Sequence, residues 1–577
     1  MSRKPRYPVP MVRRPLMLCG APLLWVGLQG CTEQVLHLGD VVVPWSTIGS
    51  ATTWEQHWSY TTSSSWTLEP QGPPVDITES GVVLCEDPDA RASLGPFERH
   101  LAGSPANEHT WHGSGGVLSG DFNSDGYVDI VTPAEPYAKL YLGSESGEFM
   151  EDQVLLDFRL TNGIGGSVAD YDGDEDLDIY LLRLFEPNVL LENQGDATFI
   201  DVTREAFPRL PDADFAPSMT STWGDIDGDG DLDLFVGNYG EPQVDLWSTE
   251  PAWPSVLYRN EGGGQFSDAS SLLPEDVLDG YTYMAGFHDV NGDLKPDLYL
   301  VNDLGWLWPN QLLLNTEEGF IQDHNDRGLD LALSAAGLGV GDLNGDGLPD
   351  FLMPEWNQVR LLESSPIGPW IDQANARGIM PDAGRKQQTG WGAELADMDN
   401  DGDLDAAIAY GHIGFIDPIR ANSPGQPDAM FIQNQGVFED HAPEWGIDDD
   451  GSNRGFLLVD ANDDGFLDLV KRDAEGPSVL HLSRCDDATW LRVSLRAPYP
   501  NTFAVGAQIW LESGGQLQTR TVRAGGTSYG SGGPPEVHFG LGEHAVIDRM
   551  TVVWPDGETS DFQDIEARQS LRVRRYR

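Results

Sequence analysis

Basic residues are scarce in this 577-residue sequence: 34 Lys and Arg stand against 93 Asp and Glu, giving a formal net charge of −59. Such a chain cannot neutralise phosphates, which excludes nucleic-acid binding, and it is repelled by anionic membranes and polymers. Long apolar runs are also wanting. Pro15–Leu28 is the notable stretch, and it is too short to span a bilayer comfortably. No His-Glu-x-x-His occurs, so the ligand pair of a zinc protease is missing. One Gly-x-Ser-x-Gly, from Gly526 to Gly530, lies in Gly-rich β-type sequence without the strand-turn-helix setting of a nucleophile elbow, so Ser528 reads as a turn residue. His538, on an apparent strand, reads as structural. Acids abound, yet no pair stands out as the two catalytic carboxylates of glycoside hydrolysis.

What the chain has instead is a repeated acidic nonapeptide close to Asp-x-Asp/Asn-x-Asp-Gly-x-x-Asp. Seven copies begin at Asp121, Asp170, Asp225, Asp289, Asp342, Asp397 and Asp460, at steps of 49 to 64 residues. Self-similarity at that period means stacked or radially arranged supersecondary units. The fullest copy places Asp225, Asp227, Asp229 and Asp233 at positions 1, 3, 5 and 9, with Gly230 at position 6. Alternate residues of a tight loop turn inward, the glycine permits the sharp turn, and the residue at position 7 can add its carbonyl. The result is a hard oxygen cage of the kind Ca²⁺ takes at roughly 2.3–2.6 Å, whereas Mg²⁺ demands stricter octahedral geometry.

The same ligand set recurs as Asp121, Asn123, Asp125 and Asp129; Asp342, Asn344, Asp346 and Asp350; Asp397, Asp399, Asp401 and Asp405; and Asp460, Asn462, Asp464 and Asp468. Two copies lack the position-6 glycine: Glu175 stands there beside Asp170, Asp172, Asp174 and Asp178, and Leu294 beside Asp289, Asn291, Asp293 and Asp297. Those two are expected to be strained or weaker. Crowded carboxylates raise one another's pKa unless a cation neutralises them, so up to seven structural Ca²⁺ are expected. A single copy would read equally well as a solvated turn; seven in register favour the metal.

Small residues precede each loop, as in Gly337–Gly341, and an apolar β-type run follows, as in Leu232–Val236. A third run and a Phe-headed fourth complete a four-stranded unit, as in Val256–Asn260 and Phe266–Asp268. Seven units make a seven-bladed β-propeller. After Ser478–Leu482 the last unit lacks its fourth strand, while Gly95–His100 is a fourth strand without a unit. Joining the two fragments would hide an exposed sheet edge.

The segment 1–30 has a basic start and an apolar core, and ends in Leu28-Gln29-Gly30-Cys31. This resembles the lipobox of bacterial lipoproteins, which implies cleavage before Cys31, its lipidation, and an outer-membrane or cell-surface location; an ordinary signal peptide of a secreted protein is the alternative. The membrane is then met only through that anchor. Cys85 and Cys485 flank the repeats, and a disulfide between them would lock the ring, with two free thiols as the alternative. Residues 31–79 are rich in Ser, Thr and Trp and read as a tether; residues 80–486 hold the propeller.

From 487 to 577 the acidic loops stop, and short alternating strands with Gly turns predict a small β-sandwich. Val505–Trp510, Val537-His-Phe-Gly-Leu-Gly542 and Val553-Trp-Pro-Asp-Gly557 resemble the ASPIC/UnbV domain. The blades resemble VCBS and FG-GAP repeats, with acidic loops like those of the integrin α propeller. Together they are similar to the family of cartilage acidic protein 1 and its bacterial relatives. That resemblance implies an extracellular, calcium-binding, all-β protein without a settled enzymatic activity.

Adhesion, or binding of a surface protein or glycan, is therefore the expected function; a polysaccharide-degrading enzyme and a structural envelope subunit are the alternatives. Trp247, Trp253, Trp306 and Trp308, on the third and fourth blades, are candidate contact residues, or else pack between blades. The arginines 568, 572, 574, 575 and 577 sit on a last strand, where they are solvated, fold back onto the chain or meet an acidic neighbour.

Overall fold

Seven antiparallel four-stranded units follow one another along the chain in the computed structural model. It describes residues 66–70, 97–101 and 115–576, apart from 134–137, 145–148, 153–161, 208–214, 241–251, 325, 366–367, 381–387, 413–425, 449–450, 475–477, 484–486 and 527. The described residues lie in the unit Tyr60–Arg577. None of their helices is long and apolar enough to cross a membrane. Cys31, Cys85, Cys485 and Trp247 fall outside the described residues.

Each unit runs first strand, acidic loop, second strand, third strand, fourth strand. In the third, Ser218–Gly224 pairs with Asp233–Asn238, which pairs with Val256–Asn260, which pairs with Phe266–Asp268. The first strands are buried on both faces, as in Gly163–Ala169, which explains their small residues. The seventh unit is completed from the other end of the repeats: Phe97–Leu101 pairs antiparallel with Ser478–Leu482, as the orphan fragments suggest. Every consecutive pair of sheets shares a buried apolar cluster. Sheets seven and one do so as well, through Leu457, Val459, Val470 and Leu480 against Val117, Val128 and Ile130. This is the blade arrangement of a seven-bladed propeller.

Inter-sheet stitches reinforce the clusters. Asn193 of the second sheet donates from Nδ2 to the Phe122 carbonyl of the first (2.8 Å), Asn260 to that of Tyr171 (2.9 Å) and Asn315 to that of Ile226 (2.8 Å). In each case the acceptor is the second residue of the neighbouring acidic loop.

The C-terminal module is the expected sandwich. One sheet orders Trp66–Pro70, Gln569–Arg575, Thr489–Arg496 and Glu536–Gly542; the other orders Gln516–Thr521, Gln508–Ser513, Val546–Val553 and Thr559–Glu566. Leu491, Val493, Ile509, Val552 and Trp554 are among the side chains between them. Trp66–Pro70, in the segment read as a tether, departs from expectation: it is an edge strand of this sandwich and pairs antiparallel with Leu571–Arg575. Its Ser/Thr/Trp surroundings carry no alternation that would reveal it.

The module also enters the propeller. Ala524–Gly525 pairs with Thr222–Trp223, making a fifth strand of the third sheet. Beyond it, Gly166 N–H donates to the Gly530 carbonyl (3.0 Å), Ser119 N–H to that of Gly532 (3.0 Å), and Gly532 N–H to that of Val117 (3.1 Å). A Cβ on Gly116 would lie 1.9 Å from the Gly530 carbonyl oxygen, so this approach requires glycine. Ser528 is fully buried and its Oγ accepts from Phe456 N–H at 3.1 Å. The Gly-x-Ser-x-Gly stretch is thus a structural insert at the centre of the sheets.

Candidate metal loops

All seven acidic nonapeptides connect the first strand of a sheet to its second, and they share one hydrogen-bond pattern. The position-1 carboxylate accepts from the backbone N–H of position 6: Gly126 to Asp121 (3.0 Å), Glu175 to Asp170 (3.0 Å), Gly230 to Asp225 (2.9 Å) and Leu294 to Asp289 (2.9 Å). Gly347 to Asp342, Gly402 to Asp397 and Gly465 to Asp460 repeat it at 2.9 Å. Position 5 accepts from position 7 in every copy, through Asp125, Asp174, Asp229, Asp293, Asp346, Asp401 and Asp464. Position 6 is left-handed even where it is not glycine, with φ of 77° at Glu175 and 65° at Leu294. Those two loops keep the common geometry and carry the backbone strain expected of them.

Position 9 does something that spacing alone does not reveal. In each copy one oxygen accepts from the backbone N–H of position 2 and the other from the third-strand side of the same sheet. Asp233 takes Ile226 and Asn260 at 2.8 Å each. Asp129, Asp178, Asp297, Asp350, Asp405 and Asp468 repeat this bracket. All seven are buried. The ninth aspartate therefore holds the loop to its sheet, whatever it adds to a cation. Asp233→Asn should cost about 1–3 kcal/mol, since an amide has one acceptor oxygen and leaves one of the two buried backbone donors, Ile226 N–H or Asn260 N–H, unsatisfied. Thermal unfolding in calcium and in chelator checks this: the loss should appear in both, whereas a pure ligand would lose stability only with calcium present.

The donor chemistry fits a hard cation. One carboxylate oxygen from each of Asp170, Asp172 and Asp178 lies within 4.8 Å of the others, and the same holds for Asp225, Asp227 and Asp229 and for Asp397, Asp399 and Asp405. Asp172 Oδ1 and Asp346 Oδ2 are buried without a hydrogen-bond partner. Asn123, Asn291, Asn344 and Asn462 take position 3 in the remaining loops. All four accept from the position-5 N–H, of Asp125, Asp293, Asp346 and Asp464, and Asn123 and Asn462 also donate to the carboxylates of Asp125 and Asp464.

With no cation, burial raises the carboxyl pKa values: Asp129, Asp297 and Asp350 to about 7, Asp233 to about 8, and Asp170, Asp225 and Asp342 to about 6. Backbone N–H donors pull the other way and do not overcome the desolvation.

The sandwich sits on these loops. Tyr499 and Pro500 lie over Gly173 and Gly230, Trp510 over Gly347, and Trp490 over Gly465. Thr502 Oγ1 is hydrogen-bonded to Asp170, and Arg574 pairs with Glu175 at 3.1 Å. Of the other arginines on the last strand, Arg575 pairs with Asp556 at 2.7 Å and Glu558 at 2.8 Å, so this segment folds back onto its own chain. His538 Nε2 meets the Gly465 carbonyl at 3.0 Å, a structural contact.

Connections at the other end of the sheets carry exposed aromatics. Phe185, Trp306 and Trp356 follow second strands and Phe215 precedes a first strand; Trp306 is 59% exposed and Trp356 51%. Trp253 is half-buried, and Trp308 packs on Tyr281 at 4.9 Å.

An all-β chain of FG-GAP-like repeats followed by an ASPIC and UnbV domain is the class that this architecture and its family matches define: residues 121–181, 170–236 and 289–353 match the FG-GAP-like repeat, and 497–576 match ASPIC and UnbV. Within that class it is similar to cartilage acidic protein 1. The Homo sapiens protein is 25% identical over 483 residues, covering 77% of this chain and 69% of the relative. The Mus musculus protein matches at the same identity and covers 70% of its own length. Among solved structures, an Agrocybe aegerita lectin that recognises non-reducing terminal N-acetylglucosamine shares 16% identity, covering 64% of this chain and 94% of its own, with a TM-score of 0.36. That superposition is too loose to bear on function.

Proposed function

We propose that this chain is an exported, calcium-binding propeller that recognises a surface protein or glycan. Binding, not catalysis, is the role, and the Ca²⁺ ions, up to seven, are structural. The observation that carries the reading is the division of labour between the two ends of the sheets. At the metal-loop end the chain's own sandwich lies on the second, third, fifth and seventh loops, through Tyr499, Pro500, Trp510 and Trp490. The opposite end presents Phe185, Phe215, Trp306 and Trp356 to solvent. Exposed aromatic rings suit the apolar faces of sugars and the anchor positions of protein interfaces. The similarity to cartilage acidic protein 1 supports an extracellular setting.

Affinity capture from envelope extracts and glycan arrays, both in calcium, test the proposal. Trp306→Ala with Trp356→Ala should lower capture at least about tenfold, the effect of losing a hot spot, with the melting temperature unchanged. Retained capture by this double variant would remove the aromatic face from the account, and turnover of a captured glycan would replace binding with catalysis.

A further inference from the structure

The seventh loop differs from the other six in one contact. Arg492, on the first strand of the sandwich, donates from Nη1 to Asp460 Oδ2 at 3.1 Å and from Nη2 to Asp463 Oδ1. The Arg492 side chain is 9% exposed and that of Asp460 1%. No other leading aspartate, Asp121, Asp170, Asp225, Asp289, Asp342 or Asp397, forms a direct ion pair with a described residue; the buried Arg520 acts on Asp397 and Asp342, and Arg572 on Asp121, only through space. The same strand lays Trp490 on Gly465 so closely that a Cβ there would fall 1.7 Å from the indole. The guanidinium is therefore held in place by the docking of the sandwich.

From this we infer that Arg492 is a built-in counter-charge for the seventh loop, so that this loop keeps its fold without a divalent ion and binds one more weakly than the others. The inference rests on the reading of the nonapeptides as cation sites. Asp460 Oδ2 already accepts from Gly465 N–H and from Arg492, while Oδ1 accepts from Asp464 N–H alone and stays open to a cation. Arg492 thus does not occupy the site; it acts from just outside. There it has two effects of the same sign. Without calcium it offsets part of the mutual repulsion of Asp460, Asp464 and Asp468, whose carboxyls burial still holds above their ordinary range. With calcium it repels the bound ion across a few ångströms of poorly screened space. Both reduce the stability this loop gains from binding.

The test compares the melting-temperature difference between excess CaCl₂ and metal-free buffer in the full chain. Arg492→Met keeps the apolar stem and removes the charge, so its calcium-dependent shift should exceed that of the wild type, with half-saturation of the affected loop falling about tenfold. Arg492→Lys keeps the charge and should match the wild type. A residue that merely packs two modules together would lower both melting temperatures equally and leave their difference unchanged. That result, or a smaller difference, overturns the inference. Should Arg492→Met fail to fold even in calcium, Arg492→Gln, which retains donors without charge, replaces it: a larger calcium-dependent shift supports the inference, and an equal or smaller one overturns it. A wild-type chain with no calcium-dependent shift sinks the cation reading itself and the inference with it.

Discussion

Removal of divalent cations should lower the melting temperature of this protein so far that much of the propeller unfolds at or near room temperature. Extracellular calcium sites bind at about 10⁻⁴–10⁻³ M, so at 10 mM calcium each contributes about 1.4–2.7 kcal/mol. Six of them, leaving aside the weaker seventh loop, contribute about 8–16 kcal/mol if they act independently, which equals or exceeds the whole stability of a typical domain. The effect has a signed pH dependence. In the metal-free chain the folded-state pKa values of Asp129, Asp233, Asp297 and Asp350 are raised by burial to about 7 or 8 from an ordinary 3.8. Stability tied to a raised pKa is present below the unfolded value and lost as pH climbs through the folded one. The metal-free chain should therefore melt lower at pH 8 than at pH 5. With calcium saturating, the order reverses, because protons compete with the cation for the same oxygens. Calorimetric melting of dialysed, metal-free protein at both pH values checks the pair of signs. An equal transition with and without calcium contradicts the structural role.

Tyr529→Ala should destabilise the protein by about 3–5 kcal/mol. The ring is fully buried, 5.4 Å from that of Trp391 and 6.2 Å from that of Tyr283, both on first strands of propeller sheets. Truncation leaves a cavity at the centre of the sheets and loosens the glycine-rich backbone bonds on either side of it. Tyr576, 42% exposed on the same module, is the control and should tolerate Ala within about 0.5 kcal/mol. Unfolding in saturating calcium separates these outcomes from metal loss. A cost for Tyr529 below about 1 kcal/mol would mean that the insert is not bound where it is placed.

The two positions illustrate what a sequence can and cannot disclose. Asp225 to Asp233 is a local code: tight turns require left-handed residues at fixed offsets, and hard cations require oxygens at fixed offsets, so both leave a readable period. The strand that begins with Phe97 was legible for a related reason, since a unit missing one strand and a strand missing its unit are each locally incomplete. Tyr529 offers no such signal. Its partners Trp391 and Tyr283 are more than a hundred residues away, and the bonds around it join backbone groups that every residue carries.

Asp233 is an intermediate case. Its spacing identifies it as part of the loop, but not that both its oxygens are committed to Ile226 and Asn260, because a carboxylate accepting two N–H groups and one facing an ion look the same in sequence. The asparagines 193, 260 and 315 follow the same logic: each lies at the end of a third strand, where the residue type is unremarkable until the neighbouring sheet supplies the carbonyl. Arg492 lies on an ordinary alternating strand, and nothing in its surroundings points to a partner 32 residues earlier.

The most direct test of the claim that recurring aspartate turns hold divalent ions is an isothermal titration of calcium into the metal-free chain at constant pH. Several equivalents of calcium per chain, up to seven, with proton release on binding, is the predicted result; no uptake at millimolar calcium, with the chain still folded, would contradict it.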